Sequence, residues 1–255
     1  MPLTVTPLSG IPLIYAGDNL AEIIWNALIK NEILLENADI LVVAQKVVSK
    51  AEGRRVILSQ ITPRPEAIEL ANYTQKDPRV VELIMQESKD ILRSRPGVII
   101  VEHRMGFICA NAGIDRSNIA GEGNGSEEVV LLLPQDADAS AAQLRGYLEE
   151  LSGKEIGVLI IDSHGRAWRL GTIGAAIGIS GLPGLMDLRG RPDLFGWQLK
   201  ITQVGTADEL AAAASLMMGQ SSEGTPVVHA RGFPYPLREA SVSELIRPKD
   251  QDLFR

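Results

Sequence analysis

The chain carries a single cysteine, Cys109, in 255 residues. No intrachain disulfide can form, and a thiolate metal cluster is excluded. Cys109 is expected as a small buried apolar residue. Histidine is scarce too. His103, His164 and His229 never stand at short metal-ligand spacing, which argues against zinc. No uninterrupted apolar stretch is long enough to span a bilayer. The opening Met1-Pro2-Leu3-Thr4 lacks the charged and apolar regions of a signal peptide, so a cytoplasmic protein is expected. Positive charge is in deficit, with a formal net charge of -7. That argues against bulk binding to nucleic acid or to an anionic membrane.

What is present is an ordinary globular composition, 45% apolar and 22% charged. The length suffices for one large domain or two small ones with a sizeable core. Apolar runs predict strands at Ile40–Ala44, Val98–Val101, Val129–Leu133, Val158–Ile161, Leu199–Val204 and Val227–Ala230. Helical patterns fall between them. Asp18 or Asn19 caps a helix that buries Leu20, Ile23, Ile24, Ala27 and Leu28. Asp77-Pro78 opens another, with a stripe through Val81, Ile84, Met85, Ser88 and Leu92. Asp138 is expected to cap a third, with Ala141, Leu144, Tyr147, Leu148 and Leu151 inward. A fourth runs from Asp208 to Met218 and stops at Gly219. Strands alternating with helices predict an α/β or mixed α+β protein. Gly121 to Gly125 reads as a flexible loop, and the segment after Arg247 as a charged, mobile tail.

Polar clusters sit where predicted strands end, the usual place for ligands in α/β folds. Gln45 to Arg54 follows the first strand. Its Lys46, Lys50 and Arg54 suit phosphate oxygens, or else form a solvated strand end. It contains no G-x-x-x-x-G-K-[ST], so it is not a P-loop. Asn111 to Asn118 offers Asp115 to a cation and Asn118 to a base or sugar, or it is an Asx-turn. Val158 to Ile161 runs into Asp162-Ser163-His164-Gly165-Arg166. Asp162 and Ser163 are adjacent hard oxygen donors, with Arg166, Arg169 and the small-residue tract Gly171–Gly181 nearby for anions. A strand-to-loop turn is the plain alternative, and His164 reads as an exposed loop residue. Met218 to Thr225 supplies Gln220 and Glu223 oxygens, with glycines for close backbone approach. Asp115, Asp162, Ser163 and Gln220 together suit Mg²⁺ or Mn²⁺. Spacing does not show that the clusters meet.

Seven segments in order resemble the coenzyme F420-0:L-glutamate ligase family, also called F420-0 gamma-glutamyl ligase. They are Gly10–Ile14, Val48–Arg54, Asn111–Asn118, Leu131–Ala141, Asp162–Arg169, Ala176–Gly178 and Ala207–Ala211. The resemblance covers nearly the whole chain. It implies a ligase fold without a P-loop, in two intimately packed subdomains. Residues 1–247 would form one catalytic unit, with 248–255 a charged tail. The implied activity is GTP-dependent addition of L-glutamate to F420-0 through an acyl phosphate. Two Mg²⁺ or Mn²⁺ ions, K⁺ and a homodimer come with it.

Carried over by position, Asp115 and Asp162 match ligands of the first metal, and Ser163 and Gln220 those of the second. Lys50, Asp115 and Asp162 match the catalytic set. Ile11, Pro12, Leu13, Ile14, Lys50, Asn118, Met218, Gly219, Gln220, Ser221, Ser222, Glu223, Gly224 and Thr225 match nucleotide contacts. Gln45 stands where the family commonly has a nucleotide-contacting serine, and Ile161-Asp162-Ser163 where it has Thr-Asp-Thr. The alternatives are a family ligase with another carboxylate acceptor and a nucleotide-binding module without turnover. A purely structural protein would have no packing need for polar clusters at several strand ends.

Overall fold

A computed structural model describes residues 2–119 and 128–253. The chain begins β1 (Thr4–Pro7), α1 (Leu20–Lys30), β2 (Ile40–Ala44), α2 (Gln45–Ala51), β3 (Arg55–Ile57), α3 (Pro65–Thr74) and α4 (Pro78–Gln86). It continues β4 (Ser88–Arg95), β5 (Val98–His103), β6 (Ile108–Ala110), β7 (Val129–Leu131), α5 (Ala137–Ser152), β8 (Gly157–Arg166) and β9 (Arg169–Ser180). It closes with β10 (Met186–Asp187), β11 (Gln203–Val204), α6 (Thr206–Met218) and β12 (Val227–Arg231). The fold is mixed α/β, as expected. The loop Gly121–Gly125 lies outside the described residues.

A five-stranded sheet in the order β1-β12-β2-β8-β9 forms the centre. Only β2 and β8 run parallel. Both are continuous apolar runs because helices cover both faces. Leu41, Val43, Val158 and Ile160 pack towards α1 and α5, while Ile40, Val42, Leu159 and Ile161 pack towards α6. A third core gathers α3, α4 and strands β3 to β7 around Leu58, Ala71, Val81, Ile84, Ile99 and Val130. Phe107 packs against both this core and the α1/α5 face.

The helix ends follow their capping chemistry. Asn19 accepts from the Glu22 N–H, and Leu20, Ala21, Ile24, Ala27 and Leu28 are buried at helical spacing. Asp77 caps α4, but that helix stops at Gln86. Ser88 and Leu92 belong to β4, because the polar run Ser88-Lys89-Asp90 offers no inward helical position and its backbone pairs with β5 instead. The cap of α5 is Asp136, not Asp138. Asp138 lies in the first turn and accepts from the Ile179 and Val242 N–H groups, tying helix to sheet. Leu151 is exposed at the end of the same helix.

Two expectations about strands also change. The run Leu199–Val204 is extended only at Gln203–Val204. Leu199 is held in a loop by Gly190 and Arg191, and Ile201 finds no core to enter. The tract Gly171–Gly181 lies almost wholly inside β9 rather than in an anion-binding loop. Its small residues make room for helices. A Cβ on Gly174 would lie 2.4 Å from the Ala211 carbonyl of α6, and one on Gly178 2.4 Å from the Ala137 carbonyl of α5. A bulge opposite Ile160–Ile161 turns the two glycines to opposite faces. In the C-terminal segment, Lys249 is anchored to Glu102 at 2.8 Å.

Candidate active site

The four polar clusters meet. The register of β2 and β8 sets Ala44 beside Ile161, so α2 starts next to Asp162. Helix α2 buries Val47, Val48 and Ser49. Lys46 and Lys50, one turn apart, share the opposite stripe. The Lys46 ammonium lies 2.8 Å from Asp115 Oδ2 and donates to Ser117 Oγ at 2.7 Å. Lys50 donates to the Asn118 carbonyl at 2.7 Å. The Asn118 amide in turn donates to the Ser221 carbonyl at 3.1 Å. Ser163 Oγ donates to Gln220 Oε1 at 2.9 Å, and Gln220 Nε2 to Ser215 Oγ at 3.1 Å. A chain of side-chain contacts thus links α2, the turn after β6, the loop after α6 and mid-β8.

Asp162 and Ser163 are not at a strand end. Strand β8 runs on to Arg166, so the two residues point to opposite faces. Ser163 faces α6 and Gln220. Asp162 shares its face with His164, whose Nε2 lies 3.2 Å from Asp162 Oδ2. His164 is therefore no exposed loop residue. Its side chain is 14% exposed and lies against Phe107, which stacks on His103.

The electrostatics follow from this packing. Burial pushes the Asp115 carboxyl up, but its bonds from Lys46 and Ser117 outweigh that and hold it below its ordinary value. Burial, then the neighbouring charges of Lys46 and Arg55, lower the Lys50 ammonium. Burial and the Asp162 charge push the Cys109 thiol up to about 12, so it is an inert buried residue. Glu223 curls back over Gly219, accepts from the Ser221 N–H at 2.8 Å and is held low by the loop amides.

Other expected residues lie elsewhere. Gln45 is buried, and its Oε1 is taken by Ser49 one turn on. In the 11–14 segment Ile14 is in the core and Leu13 faces solvent. Arg54 does not reach for phosphate. It is spent on Glu87 at 2.8 Å and the Leu133 carbonyl at 2.8 Å. Arg166 and Arg169 flank the tip of the β8–β9 hairpin, and Arg166 donates to the Leu170 carbonyl. The sequence offers Lys46 as a phosphate cation but not as a partner of Asp115, and it assigns no role to Ser117 or Ser215. The i,i+4 spacing of Lys46 and Lys50 would have paired the lysines had α2 been read as a helix.

A sequence model of the family described as F420-0:Gamma-glutamyl ligase matches residues 10–232. The Coenzyme F420:L-glutamate ligase of Methanothermobacter thermautotrophicus is 44% identical over 257 residues, covering 100% of both chains. That of Methanopyrus kandleri is 45% identical, over 99% of this chain and 98% of its own. That of Archaeoglobus fulgidus is 41% identical, over 100% of this chain and 97% of its own. The chain belongs to the F420-0:gamma-glutamyl ligase family.

Proposed function

We propose that this protein joins L-glutamate to coenzyme F420-0 in F420 biosynthesis, using GTP to activate the acceptor carboxylate. The observation that carries the reading is the meeting of Lys46, Lys50, Asp115, Asn118, Ser163 and Gln220 from four separate segments. A free carboxylate is a poor acylating agent. In this reaction its oxygen attacks the γ-phosphorus, the bond to the β,γ-bridging oxygen breaks, and GDP leaves. The glutamate amine then attacks the acyl phosphate carbonyl, loses its proton and expels phosphate. Such chemistry asks the protein mainly for positioning and charge neutralisation. Lys46 and Lys50 supply point charges for phosphate oxygens. The loop Met218–Thr225 and Asn118 line the nucleotide.

The donor set fits hard divalent ions, Mg²⁺ or Mn²⁺. Ser163 Oγ and Gln220 Oε1 are 2.9 Å apart. Neighbouring oxygens in an octahedral shell of Mg²⁺-like bond length are separated by roughly the same 2.9 Å. Ser163 and Gln220 would hold one ion and Asp115 with Asp162 the other. Among the described residues no three His, Cys, Asp or Glu side chains group to hold a metal ion. The remaining ligands would be phosphate oxygens and water, the usual arrangement for Mg²⁺. When bound, the ions neutralise charge on the transferring phosphoryl group. We also infer a homodimer. The open edge of β9 and the exposed Leu170, Leu194, Phe195, Trp197 and Ile201 support it.

Incubation with F420-0, L-glutamate, GTP and Mn²⁺ tests the reading by mass spectrometry. The expected product is F420-0 carrying added glutamyl units, with GDP and phosphate in equal amounts. Unmodified F420-0 with either GTP or ATP overturns it.

A further inference from the structure

The fold treats the neighbours Arg54 and Arg55 differently. Arg54 is engaged by Glu87 and the Leu133 carbonyl. Arg55 opens β3, and strand alternation sends its side chain to the other face. Its Nε is closed off from solvent and makes no hydrogen bond. Among the described residues no carboxylate pairs with its guanidinium. A donor removed from water without a partner loses its solvation for nothing in return.

Arg55 lies directly opposite Leu131, and Asp115 bridges Leu131 from the other side. Opposed residues of antiparallel strands project to one face, so Arg55 and Asp115 share a face, about 10 Å apart across two strand spacings. Lys50 lies between these influences, close enough that the charges of Lys46 and Arg55 depress its ammonium. Lys46 meets Asp115, and Lys50 and Arg55 add positive charge beside it, in a chain whose net charge is -7. This concentration of positive charge runs against the charge of the whole molecule.

We infer that Arg55 is a substrate-anchoring residue, forming with Lys50 a seat for a pair of anionic oxygens, carboxylate or phosphate. A guanidinium offers a planar fork that takes two oxygens at once, and the ammonium adds a point charge. All three substrates of the proposed reaction carry such oxygens. The F420-0 carboxylate is the reacting group, so the seat is assigned to the nucleotide through its phosphates or to glutamate through its carboxylates. The identity of the anion rests on the ligase reading, whereas the existence of the seat does not.

Calorimetric titration of wild type, Arg55→Gln and Arg55→Lys tests this without turnover. One series uses a non-hydrolysable GTP analogue with Mg²⁺, the other L-glutamate in the presence of GDP and Mg²⁺. Arg55→Gln is expected to weaken one of the two by about tenfold or more, the loss of a charge-assisted bond. The other ligand and the melting temperature stay unchanged, and Arg55→Lys falls between. A shift in the GTP-analogue series assigns the seat to phosphate, and one in the glutamate series to carboxylate. Unchanged affinity for both in Arg55→Gln overturns the seat, as does wild type that binds neither. Loss of both together with lower melting in both variants makes Arg55 structural and also overturns it. Where Arg55→Gln does not fold, Arg55→Lys decides by the same criteria. Wild type that binds but transfers no glutamate sinks the functional reading and leaves the seat standing.

Discussion

Lys46 Nζ lies 2.8 Å from Asp115 Oδ2, so one ammonium fastens helix α2 to the turn that follows β6. The contact also sets a competition. A carboxylate that serves Lys46 is less free to serve a cation, and a lysine held by Asp115 is less free to serve phosphate. Lys46→Met is therefore expected to tighten Mn²⁺ binding in the absence of nucleotide, while raising the nucleotide KM by about tenfold. Electron paramagnetic resonance of free Mn²⁺ reads the first effect and steady-state kinetics the second. Weaker Mn²⁺ binding in this variant would show that Lys46 does not compete at Asp115.

Gly174 and Gly178 are expected to be intolerant of side chains for packing reasons alone. A Cβ at either would press on a helix backbone carbonyl at 2.4 Å, and backbone cannot move aside as a side-chain tip can. Gly174→Ala and Gly178→Ala should each destabilise by about 1–3 kcal/mol, the usual range for overpacking. Gly165→Ala has open space around it and serves as the control. Denaturant melts give the answer. Equal stability of all three variants would return the tract to a ligand-binding role.

The glycine tract shows where sequence reading ran out. The tract suggested room for anions because nothing local says that helices from positions 137 and 211 will lie across it. Helix α2 was missed for a related reason. Its burial of Val47 and Val48 is set by the sheet beneath, and its N-cap Ala44 carries no capping side chain. By contrast Ile40–Ala44, Asn19, Asp77 and Gly219 were legible, because apolar runs, caps and stops act within a few residues. In the site, residue types pointed to Lys50, Asp115, Asp162, Ser163 and Gln220, yet no spacing could say they converge. Arg54 misled because a neighbouring acid, Glu87, lies 33 positions away in sequence.

His103 makes stability depend on pH. Burial first, then the charges of Arg54, His164, Arg104 and Lys89, lower its pKa from 6.5 to about 4. Its Nδ1 accepts from the Met105 N–H, which fixes the neutral ring. The unfolded chain binds the proton at the higher pKa, so it holds more protons between pH 6.5 and 4. Stability attributable to this group is present above pH 6.5 and is lost as pH falls towards 4. The loss is about 3 kcal/mol. His103→Gln should flatten the wild-type slope of denaturation free energy between those values. Parallel slopes for the two proteins would mean that His103 titrates normally.

Asp162 and Ser163 separate by strand geometry, and their variants should separate in behaviour. Asp162 shares its face with His164, and its side chain is 13% exposed. Ser163 meets Gln220 on the opposite face. Removing a carboxylate that neutralises an ion forfeits several kcal/mol of charge stabilisation, whereas removing a hydroxyl forfeits one neutral oxygen. Asp162→Ala is thus expected to lower metal-dependent turnover by about a hundredfold or more. Ser163→Ala should raise the metal concentration for half-maximal rate by about tenfold and leave the maximum rate nearly intact. Neither change opens the core, so both melting temperatures should stay close to wild type. The Cys109 thiol should remain protonated in Asp162→Ala, because burial is the larger cause of its raised pKa. Near-normal turnover in Asp162→Ala at limiting Mn²⁺ would sink the assignment of that carboxylate to the metal. Identical losses in both variants would instead point to a shared structural role for mid-β8.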